Sequence, residues 1–411
     1  MMSPKKFKEK NVERIPVLSS IDMKVLLGLF FCFLLVNTDL LRAESDRFAC
    51  KIPVSDSDWK TDSPASQGFH EGKLCLRLKE ISESGENIHS VLVERSGKLV
   101  AEMYLKGRDR SMARNYGFRW PFSSAVPFDA TQLHDQRSVS KSVVSLLLGI
   151  AIDKGKLKLD DPFLDSYPDL KGLSSQGREK IRIRHLLTMS AGLNWQEMRN
   201  GPLTSDELPL LWKKDLVSYY FDRELETVPG EKFNYSGGAT SALADILTKI
   251  DGRNLLQIAQ EDFFSPLGIY EWEWAETFRG IPMAYAGLRL KPRDMLKIGR
   301  LINQNGIWKG KSLVSASWVE DSIRPHVTTD INLMSVNGEV VEYGYQWWTG
   351  AFDRQGQKLR WSAAIGNGGQ RIFVVPELDL TCVITAGDYG DPDIQKTVSK
   401  IFANLLDTLE K

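Results

Sequence analysis

Between Arg137 and Ala151 apolar residues recur at Val139, Val143, Leu146, Leu147, Ile150 and Ala151. This is helical spacing without a proline to interrupt it, and it predicts a helix ending near Lys154-Gly155. Further helices are expected over 183–189, 239–250 and 393–409. Another is expected over 292–302, where Pro292 stands at a helix start and its missing N–H costs nothing. Residues 88–104 read instead as a hairpin, two β-rich runs around Ser96-Gly97. Strands are also expected over 343–349, 370–375 and 380–385. Residues 44–74 are polar, punctuated by Pro53 and Pro64, and read as an irregular lead-in. After Asp160-Asp161-Pro162 the pattern is mostly helical to about residue 300. Strands at both ends with helices between predict an α+β fold. One antiparallel sheet would be built from about 80–137 and 300–411, with an inserted helical domain over about 155–299.

The N-terminus follows a different pattern. Val25 to Val36 form an uncharged apolar run of twelve residues preceded by Met23-Lys24. The run is short for a membrane span and has the length of a signal-peptide core. Leu41-Arg42-Ala43 offers a cleavage site with a bulky leucine at its first position. Residues 1–43 are therefore expected to be a signal peptide or a retained membrane anchor, and the protein to be exported, periplasmic or anchored facing the periplasm. Residues 44–411 would form the working domain. Basic and acidic residues balance at 53 each, which gives no footprint for nucleic acid. Cys50 and Cys75 could pair in an oxidising compartment; Cys382 falls in an expected buried strand. The five histidines are scattered, no Cys/His cluster has metal-ligand spacing, and no metal or cofactor is expected.

The chemistry concentrates at the start of the 139–154 helix. Ser138 and Lys141 are three apart and would stand one above the other. A serine hydroxyl needs a base to become a nucleophile, and a lysine amine can serve if its surroundings favour the neutral form. The positive end of a helix favours the developing anion. Ser-x-x-Lys also occurs at Ser3/Lys6 and Ser57/Lys60, but only Ser138/Lys141 opens a long apolar helix. A capping serine followed by a solvated lysine would look the same locally. Tyr235 follows the Pro229-Gly230 turn and precedes a helix; lysine neighbours could lower its pKa and let it shuttle protons, or it could simply pack its ring. Gly366-Asn367-Gly368-Gly369 precedes a strand, where a backbone N–H could complete an oxyanion hole or merely connect two strands. His185 lies in an apolar helical pattern and reads as structural. Trp347 and Trp348 would wall an apolar cleft or pack in the core.

Together these motifs resemble the serine β-lactamase and penicillin-binding-protein superfamily, in particular class C-like serine hydrolases and their 6-aminohexanoate-dimer hydrolase branch. The resemblance extends through Gly155–Pro162, Ile183–Leu193, Ser265–Ile269, Gly287–Met295 and Gly344–Trp348, from about Trp59 to Ala403. It implies a β-lactamase/DD-peptidase-like fold, Ser138 as nucleophile, Lys141 as proton acceptor or relay, and Tyr235 as general acid/base partner. It also implies an oxyanion hole from the N–H groups of Ser138 and Asn367, the latter just after the third-motif Gly366. Two departures stand out. Tyr-x-Asn reads Tyr235-Ser236-Gly237, and Lys-Thr-Gly reads Ala364-Ile365-Gly366. A lost charge-assisted hydrogen bond is worth roughly 1.5–3 kcal/mol. The implied activity is therefore hydrolysis of a small ester or amide through an acyl-enzyme, without a cofactor. A β-lactamase or D-alanyl-D-alanine carboxypeptidase, and a non-catalytic envelope binding protein, are the alternatives.

Overall fold

The structure, a computed structural model, describes residues 50–109, 124–197, 204–332, 335–336, 338–354 and 356–410. The apolar run at 25–36 lies outside them. Among the described residues, no helix is long and apolar enough to cross a membrane, and no group of three His, Cys, Asp or Glu side chains could hold a metal ion.

A nine-stranded sheet is assembled from both ends of the described chain. Its strands are β1 (Lys60–Thr61), β2 (Ile88–Arg95), β3 (Lys98–Tyr104), β4 (Val327–Thr328), β5 (Glu342–Tyr343), β6 (Trp348–Arg354), β7 (Gln357–Gly366), β8 (Gln370–Val375) and β9 (Leu380–Ala386). They lie in the order β1-β3-β2-β9-β8-β7-β6-β5-β4. The expected hairpin is present, with Ser96 and Gly97 both at positive φ, as the twist of a tight two-residue turn requires. β9 pairs with β2 over almost its whole length and joins the late strands to the early ones. Only the two-residue β1 breaks the antiparallel rule, running parallel to β3 at the edge.

Helices cover both faces, and side-chain alternation along β8 shows how. Ile372 and, from the same face of β9, Thr381 meet α5 (Pro292–Asn303). A Cβ on Gly299 would come within 2.3 Å of Thr381, so only glycine allows that approach. Phe373 points the other way and stacks at 4.0 Å on Phe402 of α6 (Asp393–Leu406). Beside α6 packs α1 (Glu71–Glu83), which overlaps the end of the expected irregular lead-in. Leu74, Leu78 and Ile81 give α1 its inward stripe, and a disulfide between Cys50 and Cys75 ties the chain before it to the helix.

The remaining helices that matter are α2 (Val139–Asp153), α3 (Ile183–Leu187) and α4 (Gly237–Asp251). α2 is not amphipathic in the expected way: every residue from Val139 to Ala151 is buried. Buried hydroxyls need partners. Ser140 donates to the Arg137 carbonyl and accepts from the Leu288 N–H, and Ser142 donates to the Gln346 carbonyl.

The single strand expected over 343–349 is two strands, β5 and β6, separated by a turn in which Gln346 has a φ of 63°. Close packing forces the break. A Cβ on Gly344 would lie 2.0 Å from the Ser322 carbonyl. Buried Gln346, through its side chain and its backbone carbonyl together, then bridges three helices. Its amide donates to the Leu186 and Leu187 carbonyls of α3 and accepts from Thr240 of α4, while its own carbonyl takes Ser142 of α2.

Candidate active site

Ser138 enters α2 from a short ribbon. His134–Asp135 pairs with Leu288–Leu290 in a separate three-stranded sheet, and the Gln136 N–H continues that pairing to the Leu288 carbonyl. Arg137 takes a left-handed φ of 48°, a conformation rarely held by residues other than glycine unless the surroundings impose it. Its guanidinium is held by Asp135 and lies 4.4 Å over the Tyr389 ring. Ser138 is the N-cap residue of α2, yet its hydroxyl makes no capping bond. Lys141 Nζ donates to it instead, at 3.0 Å. The capping alternative is thereby set aside, and so is a solvated lysine: Lys141 is 1 % exposed. Its ammonium also donates to the Tyr285 carbonyl at 2.9 Å and lies 3.6 Å from Glu197 Oε1.

Tyr235 comes from the turn before α4, and its hydroxyl hydrogen-bonds Ser138. Lys141 Nζ is 4.8 Å from its ring centre. The ring belongs to an aromatic cluster, 5.6 Å from Trp348 and 6.4 Å from Tyr343. Trp348 packs on the Tyr235 ring, and both Trp347 and Trp348 are buried in the core. One expectation is reversed. Burial, followed by the charge of Glu197, raises the Tyr235 phenol well above its ordinary value, so Tyr235 rests as a neutral phenol rather than a lowered one.

Gly366 ends β7, and Asn367 begins the turn to β8. A Cβ on Gly366 would stand 2.2 Å from the Gln136 carbonyl, so this glycine lets the third motif lie directly against the approach to Ser138. The Asn367 side chain is engaged elsewhere, accepting from the Gly390 N–H at 2.8 Å. Ala364 is fully buried in β7. His185 accepts from the Arg182 N–H at the start of its own helix, and burial lowers its pKa to about 4.

The sequence reading missed two acids. Glu197 Oε2 accepts from Trp195 Nε1 at 2.9 Å and from the Gly237 N–H. Glu207 hydrogen-bonds Glu197, and burial together with that neighbouring charge raises the Glu207 carboxyl well above the usual range. Two buried carboxyls that hydrogen-bond one another share a proton. The signal that could have found them was Gly237 itself, which leaves room where an asparagine side chain would project.

A half-buried serine at a helix start, with a buried lysine against its hydroxyl and a tyrosine bridging to it, defines a serine hydrolase. The chain belongs to the Beta-lactamase family, whose pattern it matches over residues 90–398. It is similar to the 6-aminohexanoate-dimer hydrolase of Paenarthrobacter ureafaciens, with 23 % identity over 80 % of this chain and 81 % of the relative. The Beta-lactamase of Escherichia coli K12 is 26 % identical over 56 % of this chain and 57 % of its own. Among solved structures, EstCE1, a hydrolase with promiscuous acyltransferase activity, superposes with a TM-score of 0.61 at 17 % identity. That match covers 82 % of this chain and 99 % of EstCE1. It carries the fold, including the large antiparallel sheet flanked by helices.

Proposed function

We propose that Ser138 attacks the carbonyl of a small ester or linear amide and is acylated, and that water then releases the acyl group. Lys141 takes or relays the serine proton, and Tyr235, a neutral phenol hydrogen-bonded to Ser138, returns a proton to the leaving group. The N–H groups of Ser138 and Asn367 would receive the oxyanion, aided by the positive end of α2. The observation that carries this reading is the 3.0 Å contact from Lys141 Nζ to Ser138 Oγ.

The substrate class follows from the two departures. A buried alanine at Ala364 offers no cation for a substrate carboxylate, and Gly237 offers no side-chain amide for a substrate carbonyl. Both favour acyl compounds without that carboxylate over β-lactams. Relatives named for a 6-aminohexanoate dimer and for promiscuous acyl transfer agree with this direction. Export is part of the proposal: the Cys50–Cys75 disulfide suits an oxidising compartment, and residues 1–43 would be a cleaved signal or an anchor.

Intact-protein mass after exposure to a fluorophosphonate and, separately, to a penicillin tests the reading. The expected result is a fluorophosphonate adduct that Ser138→Ala abolishes, with no stable penicillin adduct. Stable labelling by both would favour a penicillin-binding protein, and no adduct at all would favour a binding protein without turnover.

A further inference from the structure

Lys141 is buried against one carboxylate, and that carboxylate is where the family's second motif would place an amide. A Cβ built on Gly237 would lie 3.2 Å from Glu197 Oε2 and 3.0 Å from Glu207 Oε2, so the two acids occupy the space into which an asparagine at 237 would extend. Glu197 is fixed there by the Trp195 indole and the Gly237 N–H, both donating to Oε2. This leaves Oε1 facing Lys141 Nζ. Glu207, whose carboxyl burial and the Glu197 charge raise well above the usual range, donates a hydrogen bond to Glu197. Oε2 is thus saturated by donors, and Oε1 is the oxygen left to meet the lysine.

We propose that Glu197 is a positioning residue for Lys141 that also accepts a proton from it during acylation. The proposal rests on the acyl-enzyme reading of Ser138. As the Ser138 O–H bond breaks, its proton passes to Lys141 Nζ, and one Lys141 N–H breaks to deliver a proton to Glu197 Oε1. The lysine remains an ammonium, the negative charge moves from Glu197 to the serine oxygen, and that oxygen bonds the substrate carbonyl. The reverse transfers restore the ion pair when the leaving group takes its proton through Tyr235. Three acceptors surround Nζ, so the proton arriving from Ser138 and the one leaving for Glu197 travel along contacts already in place. The titratable groups around Glu197 are Lys141 from α2, Tyr235 from the turn before α4, Tyr343 from β5, Glu207, and Tyr220 from the helix Leu216–Phe221. Arg137 acts on Glu207.

The test is the second-order rate of fluorophosphonate labelling of the full chain from pH 5 to pH 10, for wild type, Glu197→Gln and Glu197→Asp. Glutamine keeps an acceptor for Trp195 and Gly237 but cannot take a proton. Its rate at pH 7 should fall about 100-fold, the scale of a lost general base. The rate should recover as the pH rises, moving the acid limb up by more than one unit. Glu197→Asp should lose about tenfold with its limb unmoved, because the carboxylate is withdrawn but present. A folded Glu197→Gln variant with an unchanged limb and a rate within threefold of wild type would overturn the proposal. If the glutamine variant does not fold, the aspartate variant decides, and parity with wild type would overturn it. A wild type that is not labelled at Ser138 removes the acyl-enzyme reading itself, a result separable from either.

Discussion

Two buried ion pairs in this molecule are made of similar parts and do different things. In the sheet, Glu94 of β2 accepts from the Gly97 N–H at 2.5 Å and pairs with Arg300 of α5 at 3.2 Å. In the site, Glu197 pairs with Lys141 of α2 at 3.6 Å. Both carboxylates are shielded from water, and both are steadied by a backbone N–H. The cations separate them. A guanidinium does not give up its proton near neutral pH, whereas a lysine ammonium can. Arg300 also reaches Asp379, a second carboxylate, while Lys141 touches a serine hydroxyl. A buried acid–base pair thus becomes chemistry when its cation can release a proton and a nucleophile lies within reach. Otherwise it is a fastening for a hairpin.

The comparison can be broken most sharply by making the site pair resemble the sheet pair. Lys141→Arg keeps a positive charge beside Glu197 and removes the transferable proton. Ester hydrolysis should fall by about 10³-fold or more with the unfolding temperature little changed, measured by p-nitrophenyl acetate turnover and thermal melting. Tyr235→Phe should come next. Its ring packing survives while its hydroxyl contact with Ser138 is lost, and kcat should fall about 100-fold, most visibly with poor leaving groups.

The smallest expected effect lies in the sheet and concerns stability. Burial pushes the Glu94 carboxyl from its ordinary value up to about 7, against the opposing pull of Arg300. A raised carboxyl favours the folded state most when protonated. Its contribution is therefore full below about pH 4.5 and is lost as the pH rises through 7. Glu94→Gln should flatten the fall in melting temperature between pH 5 and pH 8 by a few degrees. Labelling of Ser138 should be unaffected.

Much of the site was legible in the chain because its signals are local. Ser138 and Lys141 sit three apart on an apolar helix, Tyr235 follows a distinctive turn, and Gly366 opens one. Glu197 was not legible, because nothing near it in sequence marks it. It matters only through Gly237, forty residues later, and through a fold that turns both toward Lys141. The same distinction holds for the fold. The 88–104 hairpin announces itself at Ser96-Gly97, whereas the break between β5 and β6 is imposed by Ser322, which no local pattern reveals. The helix α1 had a readable stripe in Leu74, Leu78 and Ile81, hidden by the polar residues around it.

Gln346 has a consequence for how the site is lost. One side chain and its carbonyl hold α2, which carries Ser138 and Lys141, together with α3 and with α4, which begins just after Tyr235. No one of these helices can slip without leaving a buried amide or carbonyl unpaired. On heating, the enzyme should therefore keep its full turnover almost to its melting point and then lose activity and tertiary structure in a single step, with no softened, half-active stage between.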